Sequence, residues 1–324
     1  MPVFALLALT LSAQADPGEV APPPRVASSF PTLPDADAWA NLPPLKQPQL
    51  PEWARVLAGP LPKTTAKMLE LDHFHREKNP LGVVLAARVR REVAKTLGSA
   101  YGEAVANSDL KRAGFAALTH EPQNSTPAES VAIRFAKKLT LEGHAITDRE
   151  FAEVLDHFGP EKTTALVHTV AYANFHNRVL LGLGVKGESP PAPPVAVAFD
   201  ADAAKPAPPR PPWDDLKAVT AGGLSIRAEW SAGDAEAMAR KLDAQKERTL
   251  RIPLPDKSVY DKLPPKEKES AGRILWNTVS AGYQPEMVRA WFACLYAYYD
   301  ESKPDRVFTN SAFWVVTRTN DCFY

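Results

Sequence analysis

Proline is unevenly distributed along this chain, and its distribution limits the possible folds more than any other feature of the sequence. Of the 324 residues 32 are proline, and two segments, 16–51 and 188–212, are especially rich in it. Helices and central strands cannot accommodate so many prolines, because proline has no amide hydrogen and fixes its own φ. We therefore predict an extended arm over 16–51 and a linker over 188–212, both with few core contacts. They leave two blocks for folded domains, 52–187 and 213–324.

The N-terminal block carries clear signals of helices. Thr126-Pro127-Ala128-Glu129 and Thr147-Asp148-Arg149-Glu150 each offer a capping hydroxyl followed three residues later by a glutamate, the pattern of a capping box. Apolar residues then recur at helical spacing. Pro160 is placed to begin a long helix that ends near Gly184, and Gly98 is placed to end a helix over 83–97. Because no stretch alternates with a period of two, we predict an all-α fold.

Features of the N-terminal half recur in order in the C-terminal block. Trp53 is matched by Trp276, Ala58-Gly59 by Ala281-Gly282 and Tyr101 by Tyr324, at a nearly constant separation along the chain. Such a long repeat predicts duplicated domains, with 52–101 and 275–324 folded alike. The second copy would then contain only the N-terminal part of the domain. A domain ending there would expose a large apolar face, so we expect the sequence to be an incomplete record. The alternative is a degenerate remnant that a partner completes.

The order of motifs over about 52–186 resembles the carboxymuconolactone decarboxylase and alkylhydroperoxidase D family. The resemblance depends on a capped helix ending in Ala136-Lys137-Lys138-Leu139-Thr140, then Leu155-Asp156-His157-Phe158, and finally Ala173-Asn174-Phe175-His176-Asn177-Arg178 before Gly182-Leu183-Gly184. The C-terminal block resembles only the N-terminal portion of that family. The resemblance implies an alkylhydroperoxidase D-like helical domain followed by a partial second copy.

Redox members of that family carry C-x-x-C-x-x-x-H at a helix start, with a glutamate upstream. There a thiolate attacks a peroxide, a second thiol closes a disulfide, and His and Glu move the protons. In the first copy Ser99 and Gly102 occupy the two cysteine positions, and Ala106 and Ala87 stand at the His and Glu positions. The first copy should therefore have no thiol chemistry, and a capping or packing role is expected for Ser99.

In the second copy Cys322 matches the first cysteine of the motif, which makes it a candidate resolving thiol whose partner is missing from the chain. Asn310 stands near the Glu position. Cys294, within the aromatic sequence Trp291-Phe292-Ala293-Cys294-Leu295-Tyr296, is expected to be a small buried core residue.

The remaining composition argues against several other functions. The 38 basic and 38 acidic residues balance, so we expect no nucleic-acid binding. The seven histidines form no compact ligand signature, so neither a metal nor another cofactor is predicted. Asn177 and Arg178 are expected to tie helices together, and the basic residues of 88–95 to form a solvated face. Residues 1–15 resemble an export signal, with an apolar run before Ala13-Gln14-Ala15.

Three functions remain open at this point. The leading expectation is an exported, homo-oligomeric thiol peroxidase that reduces a small hydroperoxide or disulfide, with its working site in the second copy. The second is a lactone-acid decarboxylase, a lyase that would need a histidine and an acid or arginine converging on one pocket. The third is a non-catalytic helical oligomerisation module. For the first copy alone, the third is favoured.

Overall fold

The structure is a computed structural model that describes residues 30–43, 48–115, 126–195, 240, 250–262, 265 and 275–319. Within these ranges every regular element is helical, which confirms the predicted all-α class. The N-terminal part of the chain contributes α1 (Asp35–Asn41), α2 (Glu52–Leu57), α3 (Pro62–Glu77), α4 (Val83–Thr96), α5 (Ala100–Arg112), α6 (Pro127–Glu142) and α7 (Asp148–Leu183). The described residues of the C-terminal part contribute α8 (Lys257–Asp261), α9 (Leu275–Tyr283), α10 (Pro285–Ser302) and α11 (Arg306–Thr319).

The predicted helix ends of the N-terminal block agree with the structure. Thr126 and Thr147 each accept a hydrogen bond from the backbone three residues on, and each capping box is completed by its glutamate. Gly98 has a φ of 68°, a left-handed conformation that glycine adopts without strain, directly after α4. α7 contains a break at Gly159, where φ is 67° and ψ is 173°, so Pro160 begins a second helical stretch as predicted.

Two apolar clusters hold the N-terminal helices together. One lies among α4, α6 and α7 and includes Val89, Phe135 and Leu166. The other is built on α1, α2 and α3 and extends through Phe175 of α7 to Trp291 of α10. The core therefore crosses from the N-terminal helices into the C-terminal ones without interruption.

The prediction of an extended arm over 16–51 with few core contacts is wrong for the part that the structure describes. Residues 35–41 form α1, and Trp39, Leu42 and Leu50 are buried. The Trp39 indole donates to the carbonyl of Pro48, and the Asp35 carboxylate accepts from the Leu50 amide. A tryptophan and two leucines among the prolines supply enough apolar area to hold this segment on the core.

The N-terminal end of the predicted linker is also packed against the core. Ala192 and Val195 are buried, and the Glu188 carboxylate accepts from the Tyr101 hydroxyl, the Glu52 amide and the Ala192 amide. The prediction of few core contacts is therefore wrong for 188–195. Residues 196–212, like the arm before residue 30 and the export-signal residues 1–15, lie outside the described residues.

The C-terminal helices follow the spacing of the N-terminal ones. α10 and α11 begin at 285 and 306, and α3 and α4 begin at 62 and 83, so the two pairs of starts are separated by the same number of residues. α10 packs along α3, and its Glu301 caps that helix by accepting from the Lys63 amide, the Thr64 amide and the Thr64 hydroxyl.

The second half of α7 lies between these two sets of helices. Trp53 of α2 makes an edge contact with His176, with ring centroids 5.3 Å apart. Trp276 of α9 stacks on His168, with centroids 5.6 Å apart. Two matched tryptophans thus contact two histidines of one helix, which lie on either side of Tyr172 in the sequence.

Candidate functional site

The positions that match the thiol motif in the N-terminal block are structural in this protein. The Ser99 hydroxyl accepts from the Gly102 amide at 3.2 Å and caps the start of α5. A side chain at Gly102 would overlap the Asn177 amide, so glycine is needed for α5 to approach α7. Ala87 and Ala106 are fully buried. The capping role expected for Ser99 is confirmed. The Asn177 side chain donates to the Ala173 carbonyl of its own helix, so its role in tying helices together stays a prediction.

One of the two cysteines, Cys294, belongs to the apolar core. Cys294 on α10 is 4% exposed, and burial raises the pKa of its thiol to about 12, with the charge of Glu70 adding to the effect. A thiol in that state is protonated at neutral pH and a poor nucleophile, which confirms the expected core role. Cys322 lies outside the described residues. Asn310, near the glutamate position, is exposed on α11.

A buried ionic cluster occupies the centre of the N-terminal block. Asp109 of α5 is fully buried and accepts from Arg76 at 2.8 and 2.9 Å and from Arg90 at 2.7 Å. Arg112 lies 2.8 Å from the same carboxylate. Burial alone would raise the pKa of Asp109, but the hydrogen bonds from Arg76 and the charge of Arg90 lower it to about 2. The prediction of a solvated face is wrong for Arg90, which is buried because Asp109 neutralises it.

A column of aromatic rings stands beside this cluster. His75 stacks on Tyr172 with ring centroids 4.1 Å apart, and Tyr172 stacks on His176 at 5.4 Å. The Tyr172 hydroxyl donates to Asp72 at 2.6 Å, and Asp72 also pairs with Arg76 at 3.0 Å. The column and the ionic cluster are therefore one connected polar network inside an apolar core.

The electrostatics of the column keep its rings neutral. Burial lowers the pKa of His176 to about 4, although the charge of Asp72 opposes that shift. Burial likewise lowers the pKa of His168 to about 4, and burial followed by the charge of His168 lowers the pKa of His75 well below its usual value. Burial, and then the Asp72 carboxylate, raise the pKa of Tyr172 well above its usual value. At neutral pH the histidines of the column are therefore uncharged and Tyr172 keeps its proton, so none of these side chains readily donates a proton.

The column has very little free space around it. A narrow crevice lined by His75, His168, Tyr172 and Trp291 has no room for a water molecule. Nδ1 of His75 and Nε2 of His176 are buried without a hydrogen-bond partner. These two nitrogen atoms could form hydrogen bonds with a bound molecule only if the surrounding helices moved apart.

Sequence patterns do not reveal this network, although one signal points to it. Asp72 and Arg76 are opposite charges four residues apart on a helix whose neighbouring positions, Leu69 and Leu71, are apolar. Their partners on α5 and α7 are distant in sequence, so periodicity alone cannot bring them together. Among the described residues no cluster of three or more potential metal ligands occurs. No helix in the described part of the chain is long and apolar enough to cross a membrane.

Comparisons with known proteins suggest no function for this chain, so any functional proposal depends on its sequence and structure. No protein-family model, no curated protein and no solved structure matches this chain.

Proposed function

We propose that this protein is a thiol-dependent oxidoreductase of the alkylhydroperoxidase D-like kind, which reduces hydroperoxides or disulfides. Its C-terminal part would carry the thiol chemistry, with Cys322 as the resolving thiol of a pair whose second cysteine is not among the 324 residues. Its N-terminal part would be a non-catalytic scaffold held by the Asp109 cluster. Export and homo-oligomerisation remain parts of the same proposal.

One observation supports the proposal above all others, namely the common offset in sequence between the starts of α3 and α4 and the starts of α10 and α11. Ser99 lies as many positions after the start of α4, at residue 83, as Cys322 lies after the start of α11, at residue 306. Position 322 is therefore the sequence counterpart of the position that caps α5. A cysteine at a helix start has its thiolate stabilised by the backbone amides and the helix dipole, which is what thiol exchange requires.

The scaffold role of the N-terminal part follows from what its side chains already do. Ser99 and Gly102 form the start of α5, and the carboxylates of Asp72 and Asp109 are paired with arginines and with Tyr172. A catalytic centre needs a reactive group and space beside it for a substrate. The described N-terminal residues supply no thiol, and the crevice beside their polar network has no room for a substrate.

The reaction with an aromatic disulfide such as dithiodipyridine tests the proposal. A thiolate of the protein attacks the reagent, a mixed disulfide forms, and one thiopyridine leaves. We expect Cys322 in the native chain to react at pH 7 at least about tenfold faster than in the urea-unfolded chain. Cys322→Ser should remove that fast phase, and Cys294→Ser should leave it unchanged. A fast phase that survives Cys322→Ser, or no acceleration on folding, would overturn the proposal.

A second candidate, lactone-acid decarboxylation, is favoured by the convergence of His75, His176, Asp72 and Arg76. A histidine with an acid and an arginine is the set that such a lyase would need. Carbon dioxide release from a carboxylated lactone distinguishes the two functions. The lyase requires release that persists after both cysteines are alkylated and that falls at least about a hundredfold in His176→Asn. The thiol proposal predicts no release from either form.

A further inference from the structure

A cavity of about 350 Å³ lies between α3, α7, α10 and α11. Its volume falls within the range of small-molecule sites, which is roughly 300–1,000 Å³. Among its lining residues are Met68, Phe175, Leu295, Phe308, Ala312 and Phe313. Helices from both parts of the chain therefore form its walls.

The wall of this cavity offers almost nothing polar to a ligand. Every described residue that lines it is uncharged. The Thr64 hydroxyl is already bonded to Glu301 at 2.7 Å, and the Thr309 hydroxyl donates to the carbonyl of Asp305 at 2.8 Å. Cys294, also in the wall, stays a protonated thiol because burial raises its pKa to about 12. The other hydroxyl-bearing residues of the wall are Tyr298 and Tyr299, which are also neutral, so a ligand would meet a mainly apolar surface without charge.

The crevice beside the aromatic column differs from this cavity in its free volume. It is lined by His75, Tyr172 and Trp291 among others and has no room for a water molecule. The open cavity has smaller residues along α11, including Thr309, Ala312 and Val316. An apolar cavity of this size holds water poorly, because each water needs two to four polar partners.

We propose that the cavity between α3, α7, α10 and α11 binds the hydrocarbon chain or ring of a small uncharged molecule. Because no described lining residue is charged, an anion would lose its water shell without gaining a counter-charge, which disfavours it as the ligand. Affinity comes from removing the hydrocarbon of the ligand from water, so it increases with chain length until the cavity is full. This binding does not depend on the thiol chemistry at Cys322.

Binding of the neutral fluorophore N-phenylnaphthylamine to the full chain, with displacement by linear alcohols and acids, tests this inference. We expect saturable binding and displacement by hexanol through decanol, with affinity rising about fourfold per methylene. Decanoate at pH 8 should displace the probe at least about tenfold more weakly than decanol, since no cation meets its carboxylate. Equal displacement by decanoate, or no dependence on chain length, would overturn the inference.

A pair of neighbouring substitutions locates the site. Ala312→Trp fills the cavity without removing an existing contact, and it should weaken probe binding at least about tenfold. Ser311→Trp adds the same side chain one position earlier on α11, where the residue is exposed and does not line the cavity, and should leave binding unchanged. Circular dichroism checks that both variants fold. Unchanged probe binding in Ala312→Trp, or a dimer in sedimentation whose dissociation exposes the probe site, would show that something else occupies this surface.

Discussion

Replacing Asp109 with asparagine removes the charge on which the buried ionic cluster depends. Asp109 is fully buried and accepts three hydrogen bonds from Arg76 and Arg90, whose side chains are 2% and 7% exposed. Asparagine has nearly the same size but leaves Arg90 without this carboxylate and Arg76 with only Asp72. Removing one partner of a buried ion pair costs about 3–5 kcal/mol, because a desolvated charge is left uncompensated. We expect the free energy of unfolding to fall by that amount.

Urea unfolding at pH 7, followed by circular dichroism at 222 nm, measures this loss. The midpoint should fall without a change in the slope of free energy against urea, since the surface exposed on unfolding stays the same. Glu153→Gln is the control: its partner Arg134 and Glu153 itself are 60% and 45% exposed, so its effect should stay below about 1 kcal/mol. A loss below about 1 kcal/mol for Asp109→Asn would refute the view that this cluster stabilises the core.

The pH dependence gives an independent check of the same cluster. The pKa of Asp109 is about 2 in the folded chain, below its ordinary value of 3.8. A carboxylate whose pKa is lowered by folding contributes stability above its unfolded pKa and loses it as the pH falls through the folded one. That contribution is about 2 kcal/mol at neutral pH. The stability difference between the parent and Asp109→Asn should therefore shrink as the pH is lowered from 4 to 2.

Three further outcomes follow from the structure. Glu301→Gln should lower the free energy of unfolding in urea by about 1–2 kcal/mol, because it weakens a cap on the start of α3. The neighbouring control Asp300→Asn should change the free energy of unfolding little, because Asp300 is exposed. Trp291→Ala should lower the free energy of unfolding by about 3–5 kcal/mol, because it leaves a cavity in the core between α7 and α10. The control Val307→Ala, at an exposed position of α11, should lower it by less than about 0.5 kcal/mol. Purified chain should show no dithiol-supported hydroperoxide turnover in a peroxide-consumption assay, because its sequence contains no Cys-x-x-Cys pair and Cys294 is buried. Sustained turnover would contradict this.

The helices that could be predicted from the sequence are those whose ends are set by neighbouring residues. The capping boxes at Thr126 and Thr147 and the break at Gly159 depend on side chains within a few positions, and all three agree with the structure. α1 escapes prediction because its prolines and aspartates suggest an extended chain, while the burial of Trp39 decides its conformation. Tertiary burial overrides local propensity there.

For the candidate site, the sequence predicts only that the N-terminal block lacks thiol chemistry. Residues 52–187 contain no cysteine, so the lack of thiol chemistry in the N-terminal block follows from residue identity. The network of Asp72, Asp109 and Tyr172 is not visible in the sequence, because its members come from three helices and meet only through packing. Buried charges look like surface charges in a sequence until their partners are known.

Alkylation of Cys322 tests the central claim most directly. Full-length chain is treated with iodoacetamide at pH 7, native and in urea, and the modified peptides are quantified by mass spectrometry over time. The account predicts that Cys322 reacts at least about tenfold faster in the native chain than in the unfolded one, as expected for a thiol activated by its surroundings, while native Cys294 stays unmodified. If Cys322 reacts no faster in the native chain than in urea, the proposed thiol function is contradicted.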